Sequence, residues 1–172
     1  SKMMKSLIFV SILAVACAST NVQRCQNNAG ALPTRTVIEG CQNPPCNLPQ
    51  RRDAVIHITF TAPRNLNSMR TLATAFLGNL PVPYPLGARE NTCNFLTNTR
   101  CPVSRGRVVN YTLRMFIEPS FPVGISTTVE FRIVDQSNNP VVCVRVPIRI
   151  TAPRALGALE DDSEVLVETQ AE

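Results

Sequence analysis

Apolar residues recur with a period of two along much of this chain, which is the mark of strands that bury one face. Residues 54–61 place Ile56, Ile58 and Phe60 on one side and Val55, His57 and Thr59 on the other. Residues 108–117 set Val109, Tyr111, Leu113, Met115 and Ile117 against Asn110, Thr112 and Arg114. Residues 127–134 turn Val129, Phe131 and Ile133 inward and Glu130 and Arg132 outward. Residues 142–150 carry Val142, Val144, Val146, Ile148 and Ile150 on one face, with Arg145 and Arg149 opposite. Residues 69–77 are apolar enough for a helix, but their neighbours predict a strand. Weaker signals place an opening strand and loop within 19–34 and alternation over 34–39. Pro44, Pro45 and Pro49 mark a loop, and Asp135 opens a turn that ends at Pro140. About seven strands separated by turn signals predict an all-β fold, an antiparallel sandwich whose two sheets bury their apolar faces together.

One segment breaks the pattern. Leu80-Pro81-Val82-Pro83-Tyr84-Pro85-Leu86 alternates prolines with large apolar residues. Proline fixes φ and offers no N–H, so this strip is stiff, extended and barred from the middle of a sheet. It reads either as an edge strand that plugs the core or as the rim of an apolar cavity.

Composition adds a compartment. Lys2 and Lys5, an apolar run over 7–15 and Ala16-Cys17-Ala18 have the form of a cleaved leader, residues 1–18. The run is too short to span a bilayer. The expected domain is 19–152, followed by an acidic disordered tail, 153–172. Six cysteines remain after the leader: Cys25, Cys41, Cys46, Cys93, Cys101 and Cys143. An even set in a small exported domain is a disulfide framework, although spacing leaves the pairing open. No C-x-x-C pair accompanies the single histidine, so zinc is a weak competitor.

Charge is uneven. Residues 19–159 hold 15 arginines and six acids, a balance of +9, while the other six acids of the mature chain all follow residue 159. Aromatic residues are few and do not interleave with a basic run, which argues against nucleic acid as a partner. Asn110-Tyr111-Thr112 is an N-glycosylation sequon with its asparagine on the outward face. No catalytic constellation emerges: the sequence shows no G-x-S-x-G, no phosphate-cradling loop and no obvious carboxylate pair. His57 reads as a polar-face strand residue. The expectation is a protein that is not an enzyme and needs no cofactor or metal.

The order of these features resembles the Niemann–Pick type C2 group of the ML lipid-recognition family. The resemblance is carried by Cys25, by Cys41-Gln-Asn-Pro-Pro-Cys46, by Ile58-Thr59-Phe60-Thr61 and by the proline strip. Cys93…Cys101-Pro102, Phe121-Pro122 and Cys143-Val-Arg-Val-Pro147-Ile148 continue it to about residue 151, in the style of secreted arthropod members related to mite group 2 allergens. It implies an immunoglobulin-like sandwich with an apolar cavity between its sheets. It implies the disulfides Cys25–Cys143, Cys41–Cys46 and Cys93–Cys101. It implies a cavity entrance at Val82, Tyr84, Phe121 and Pro122, with Phe131 deeper, and ligand contacts that also include Phe60, Leu86, Met115, Ile125, Val144 and Val146.

Vertebrate sterol carriers of this group place tryptophans on their last two strands. The matching positions here are Phe131 and Val144, and the chain has no tryptophan. A fatty acid or another slender apolar molecule therefore stands beside sterol as the expected ligand. The implied role is a secreted monomeric carrier, extracellular or, as a second compartment, lysosomal, with transient contact to a membrane or a membrane receptor. Two other roles compete: an innate-immunity protein that presents lipid to a receptor, and an adhesion module with a filled core.

Overall fold

The computed structural model describes residues 18–154. The expected leader (except Ala18) and residues 155–172 of the expected tail lie outside the described residues. Among the described residues nine strands form: β1 (Gln23–Arg24), β2 (Arg35–Ile38), β3 (Cys46–Pro49), β4 (Asp53–Thr61), β5 (Met69–Leu77), β6 (Leu80–Tyr84), β7 (Val108–Phe116), β8 (Ser126–Asp135) and β9 (Pro140–Thr151). Two 3-10 turns, Gly87–Glu90 and Thr92–Phe95, fall within the loop after β6.

The strands make the predicted sandwich. The larger sheet runs β1-β9-β8-β5-β6, with β3 also on β9, and the smaller runs β2-β4-β7. Each long alternating segment buries its apolar set: Ile56, Ile58 and Phe60 from β4, Val109, Tyr111, Leu113 and Met115 from β7, Val129, Phe131 and Ile133 from β8. Each such side chain contributes about 1.5–3 kcal/mol on leaving water. Residues 69–77 are a strand, as their surroundings predicted, and Ala73 and Ala75 lie on its inner face beside Tyr84 and Val82 of β6. The proline strip is an edge strand that pairs only with β5, as the missing N–H groups of Pro81 and Pro83 require.

Three readings need correction. Among the described residues the strand count is nine, against about seven expected, and β3 in particular is too short to show periodicity. The stretch expected as a loop around Pro44, Pro45 and Pro49 contains β3, whose pairing to β9 is parallel, from Cys46 beside Ile148 to Pro49 beside Thr151. Glu130, expected on a solvated face, is fully buried.

The reason for the burial of Glu130 is a loop that crosses the outer face of the larger sheet. The Cys25–Cys143 disulfide ties that loop down, and Gly30 lets it pass close. A Cβ at Gly30 would meet the Cys143 Cβ and backbone at 2.8 Å, and its φ of 148° also suits glycine. Glu130 Oε1 accepts from the backbone N–H of Gln26 at 2.8 Å, from Asn27 at 3.2 Å and from Arg145 Nη1 at 2.9 Å. Oε2 accepts from the N–H and side-chain Nδ2 of Asn28 at 3.1 and 2.7 Å. Burial alone pushes this carboxyl up. The bonds from Gln26, Asn28, Asn27 and Arg145 outweigh it and hold the group below the ordinary glutamate range.

The remaining disulfides are Cys41–Cys46 and Cys93–Cys101, so all three pairs implied by the resemblance are formed.

Candidate functional site

The interior is filled at one end and hollow at the other. The strands explain the difference. Near the start of β5, inward positions carry Met69 and Thr71, and β7 answers with Val109 and Tyr111, all buried. Toward the end of β5 the inward residues shrink to Ala73 and Ala75, which cannot span the space to the opposite sheet. A cavity of about 200 Å³ opens there.

Its walls come from both sheets and from the edge strand. The larger sheet supplies Ala75 and Leu77 of β5, Thr127 and Val129 of β8, and Ile148 and Ile150 of β9. The smaller supplies Met115, with Ile117 following β7. The proline strip supplies Val82, Pro83 and Tyr84, and the loop between β7 and β8 supplies Phe121, Pro122 and Ile125. Thirteen of these fourteen residues are apolar; Thr127 turns its hydroxyl to the Phe76 carbonyl at 2.6 Å.

Tyr84 and Phe121 meet edge-to-face across the mouth, with centroids 5.8 Å apart. The Tyr84 hydroxyl donates to the Phe116 carbonyl at 3.3 Å, a link from the edge of one sheet to the end of the other. Burial raises the Tyr84 pKa, nearby Glu118 adds to the rise, and Arg89 opposes it. Arg89 hydrogen-bonds the Arg114 carbonyl and lies 3.6 Å from Asp53. Apolar groups continue onto the surface: Leu80 is 63% exposed and Val123 56%.

The loop that carries Phe121 is held by a residue with no sequence signal. Gln50, buried between β3 and β4, donates through Nε2 to the carbonyls of Pro119 at 3.0 Å and Phe121 at 2.5 Å. Among the residues expected to meet a ligand, Val82, Tyr84, Met115, Phe121, Pro122 and Ile125 line the cavity. Phe131 and Val146 line a separate small void deeper inside. Phe60, Leu86 and Val144 are core residues that line neither space. Ala75, Leu77, Ile117, Val129, Ile148 and Ile150 line the cavity although the sequence reading did not choose them. Period-two alternation named the inward face of Ile117, Val129, Ile148 and Ile150 but not their depth along the strand, and the apolar run holding Ala75 and Leu77 gave no face at all.

The other candidate features do not line this cavity. His57 bridges Glu39 Oε1 at 2.8 Å and Thr112 Oγ1 at 2.9 Å on the outer face of the smaller sheet. Asn110 of the sequon is half-buried; its Oδ1 accepts from Thr59 Oγ1 at 3.0 Å and its N–H donates to Asn98 Oδ1 at 2.8 Å. A wide depression along the 93–101 loop is lined mainly by polar residues such as Asn94, Thr97, Asn98 and Arg100. It offers little apolar surface for a guest.

Comparison with known proteins agrees with this architecture. The ML-domain family profile matches residues 19–150. The NPC intracellular cholesterol transporter 2 of Bos taurus is 24% identical over 148 residues, covering 86% of this chain and 96% of the relative. The protein of the same name from Danio rerio is 23% identical, covering 84% and 94%. The crystal structure of a Niemann-Pick type C2 protein from Japanese carpenter ant superposes with a TM-score of 0.65 at 20% identity, covering 76% of this chain and 98% of that one.

Proposed function

This chain belongs to the ML-domain family, and on that premise we propose that it is a secreted carrier for a hydrophobic ligand. The ligand class is a fatty acid, a sterol or a similar lipid or semiochemical, held between the two sheets and moved without chemical change. The observation that carries the reading is the cavity: apolar walls, an opening beside the proline strip, and exposed Leu80 and Val123 next to it. An adhesion module would fill that space.

The driving force follows from the lining. Apolar surface leaving water contributes about 25 cal/mol per Å², so burying ~300 Å² of a tail yields ~7 kcal/mol before association costs. Association costs subtract from that figure, so a slot that is already formed is what keeps binding measurable. Contacts are nonspecific, so many tails of suitable width fit. Exposed aliphatic residues at the mouth suit brief contact with a membrane from which a tail is drawn. Export is supported by the leader pattern, by three disulfides and by a family match that begins at residue 19. Among the described residues no helix is long and apolar enough to cross a membrane.

The test is extraction of the purified protein and identification of bound lipid, with displacement of a fluorescent fatty acid as the quantitative arm. An empty protein that neither carries nor binds any lipid overturns the reading.

A further inference from the structure

Beneath the cavity lies a second, separate void of about 10 Å³. Three side chains wall both spaces: Met115 from the smaller sheet, and Val129 and Ile148 from the larger. They are the partition between the hollow near the mouth and the interior beside Phe131, Val146 and Ile56.

The partition is not uniformly stiff. Valine and isoleucine branch at Cβ and are confined in χ1. Methionine is unbranched, has three rotatable bonds and fills irregular gaps. Its thioether is only a weak acceptor, so no strong hydrogen bond ties it in place. Met115 is therefore the one member of the partition that can turn aside without moving a strand, and the void behind it shows where the chain interior has slack. A void costs its lining some dispersion contact. A tail end that entered it would restore those contacts.

We propose that Met115 is a movable floor that sets the length of hydrocarbon tail the cavity accepts. The proposal rests on the carrier reading and narrows its ligand to single-chain amphiphiles, of which a fatty acid is the simplest. A straight tail needs a gap one side chain wide to pass from the mouth toward Phe131. A fused-ring ligand needs the sheets themselves to part.

The experiment measures displacement of a fluorescent fatty acid by a homologous series of saturated fatty acids, medium to long, and by cholesterol. Wild type, Met115→Ala and Met115→Leu are compared. In the wild type each added methylene tightens binding by about fourfold until the tail end has turned the floor aside and filled the void behind it, after which the gain stops. Met115→Ala removes three heavy atoms and moves that break to tails about two or three carbons longer, with little change for the shortest acids. Met115→Leu keeps the volume but adds a branch. It keeps short-tail affinity and weakens the longest tails, and it guards against an alanine variant that does not fold. If acids bind but the break stays at one length in every folded variant, the floor proposal is overturned and the carrier reading survives. A gain for cholesterol in Met115→Ala equal to the gain for long acids also overturns it, because the variant has then merely loosened the cavity. Wild-type protein that binds none of these ligands overturns both.

Discussion

At one end of the sandwich, Thr71 of β5 donates its hydroxyl to Tyr111 of β7 at 2.8 Å and shares a 2.7 Å bond with Thr92. All three are buried, so a polar clasp joins the two sheets through the core. Burial pushes the Tyr111 pKa up to about 12, against the pull of the Thr71 bond, so the phenol stays a neutral hydrogen-bonding group. Asp135 closes the same end; it accepts from Arg64 Nε at 2.6 Å and from the N–H groups of Ser137 and Asn139, each at 2.9 Å. At the other end β5 and β7 carry Ala75 and Met115, β6 adds Val82, and an exposed bond from Tyr84 to Phe116 reaches from one sheet to the other. A buried hydrogen-bonded cluster specifies one arrangement because an unpaired member is costly. Dispersion contacts around a hollow do not. One fold thus clasps its sheets with buried polar bonds at one end and keeps a hollow between them at the other.

The difference between the two ends is tested most directly at the closed one. Tyr111→Ala should cost about 3–5 kcal/mol in urea unfolding, because it removes a fully buried ring as well as the clasp. Phe121→Ala should cost far less; equal losses would mean the two ends do not differ. Next in size is Tyr84→Arg, which places a charge at the apolar mouth. Fatty-acid displacement should weaken by about tenfold or more, with stability changed by less than about 1 kcal/mol. Unchanged displacement would count against this opening as the mouth.

Finer changes sharpen the contrast. Tyr111→Phe keeps the ring and should cost about 1–2 kcal/mol, the price of a buried hydroxyl left short of a partner. Gln50→Leu releases the Pro119 and Phe121 carbonyls, so it should alter ligand on- and off-rates by about threefold to tenfold while the melting temperature moves little. The smallest effect is expected from pH near neutrality. Glu130 and Asp135 both have lowered pKa values, because hydrogen bonds and arginine partners outweigh burial. In acid the unfolded chain binds protons that the folded chain still refuses. Their stabilisation is complete above the ordinary carboxylate values of 4.5 and 3.8 and is lost as pH falls through the lower folded ones. Unfolding measured across pH should therefore be flat through the neutral range and fall only below those values. Glu130→Gln should flatten part of that fall.

Period-two alternation was enough to name the inward faces of β4, β7, β8 and β9, because a strand's side-chain direction is fixed by its own backbone. Alternation could not say that Glu130 lies beneath a loop more than a hundred residues earlier in the chain, nor find β3, whose four residues gain a strand's geometry only from β9. The mouth was legible in part. Val82 and Tyr84 stood out because an apolar strip studded with prolines serves no ordinary turn, whereas Phe121 and Pro122 came only from the family resemblance. Gln50 gave no signal, since a glutamine in a proline-rich loop looks like any solvated side chain until the loop it holds is in place.

The sequence alone determined which residues face inward, which strand must lie at an edge, and that six cysteines brace the domain, because each of these follows from the chemistry of a residue and its near neighbours. Only the tertiary structure decided where the interior fills and where it stays hollow. That outcome depends on how the side chains of two separate sheets add up across the gap between them, and no single strand carries that sum.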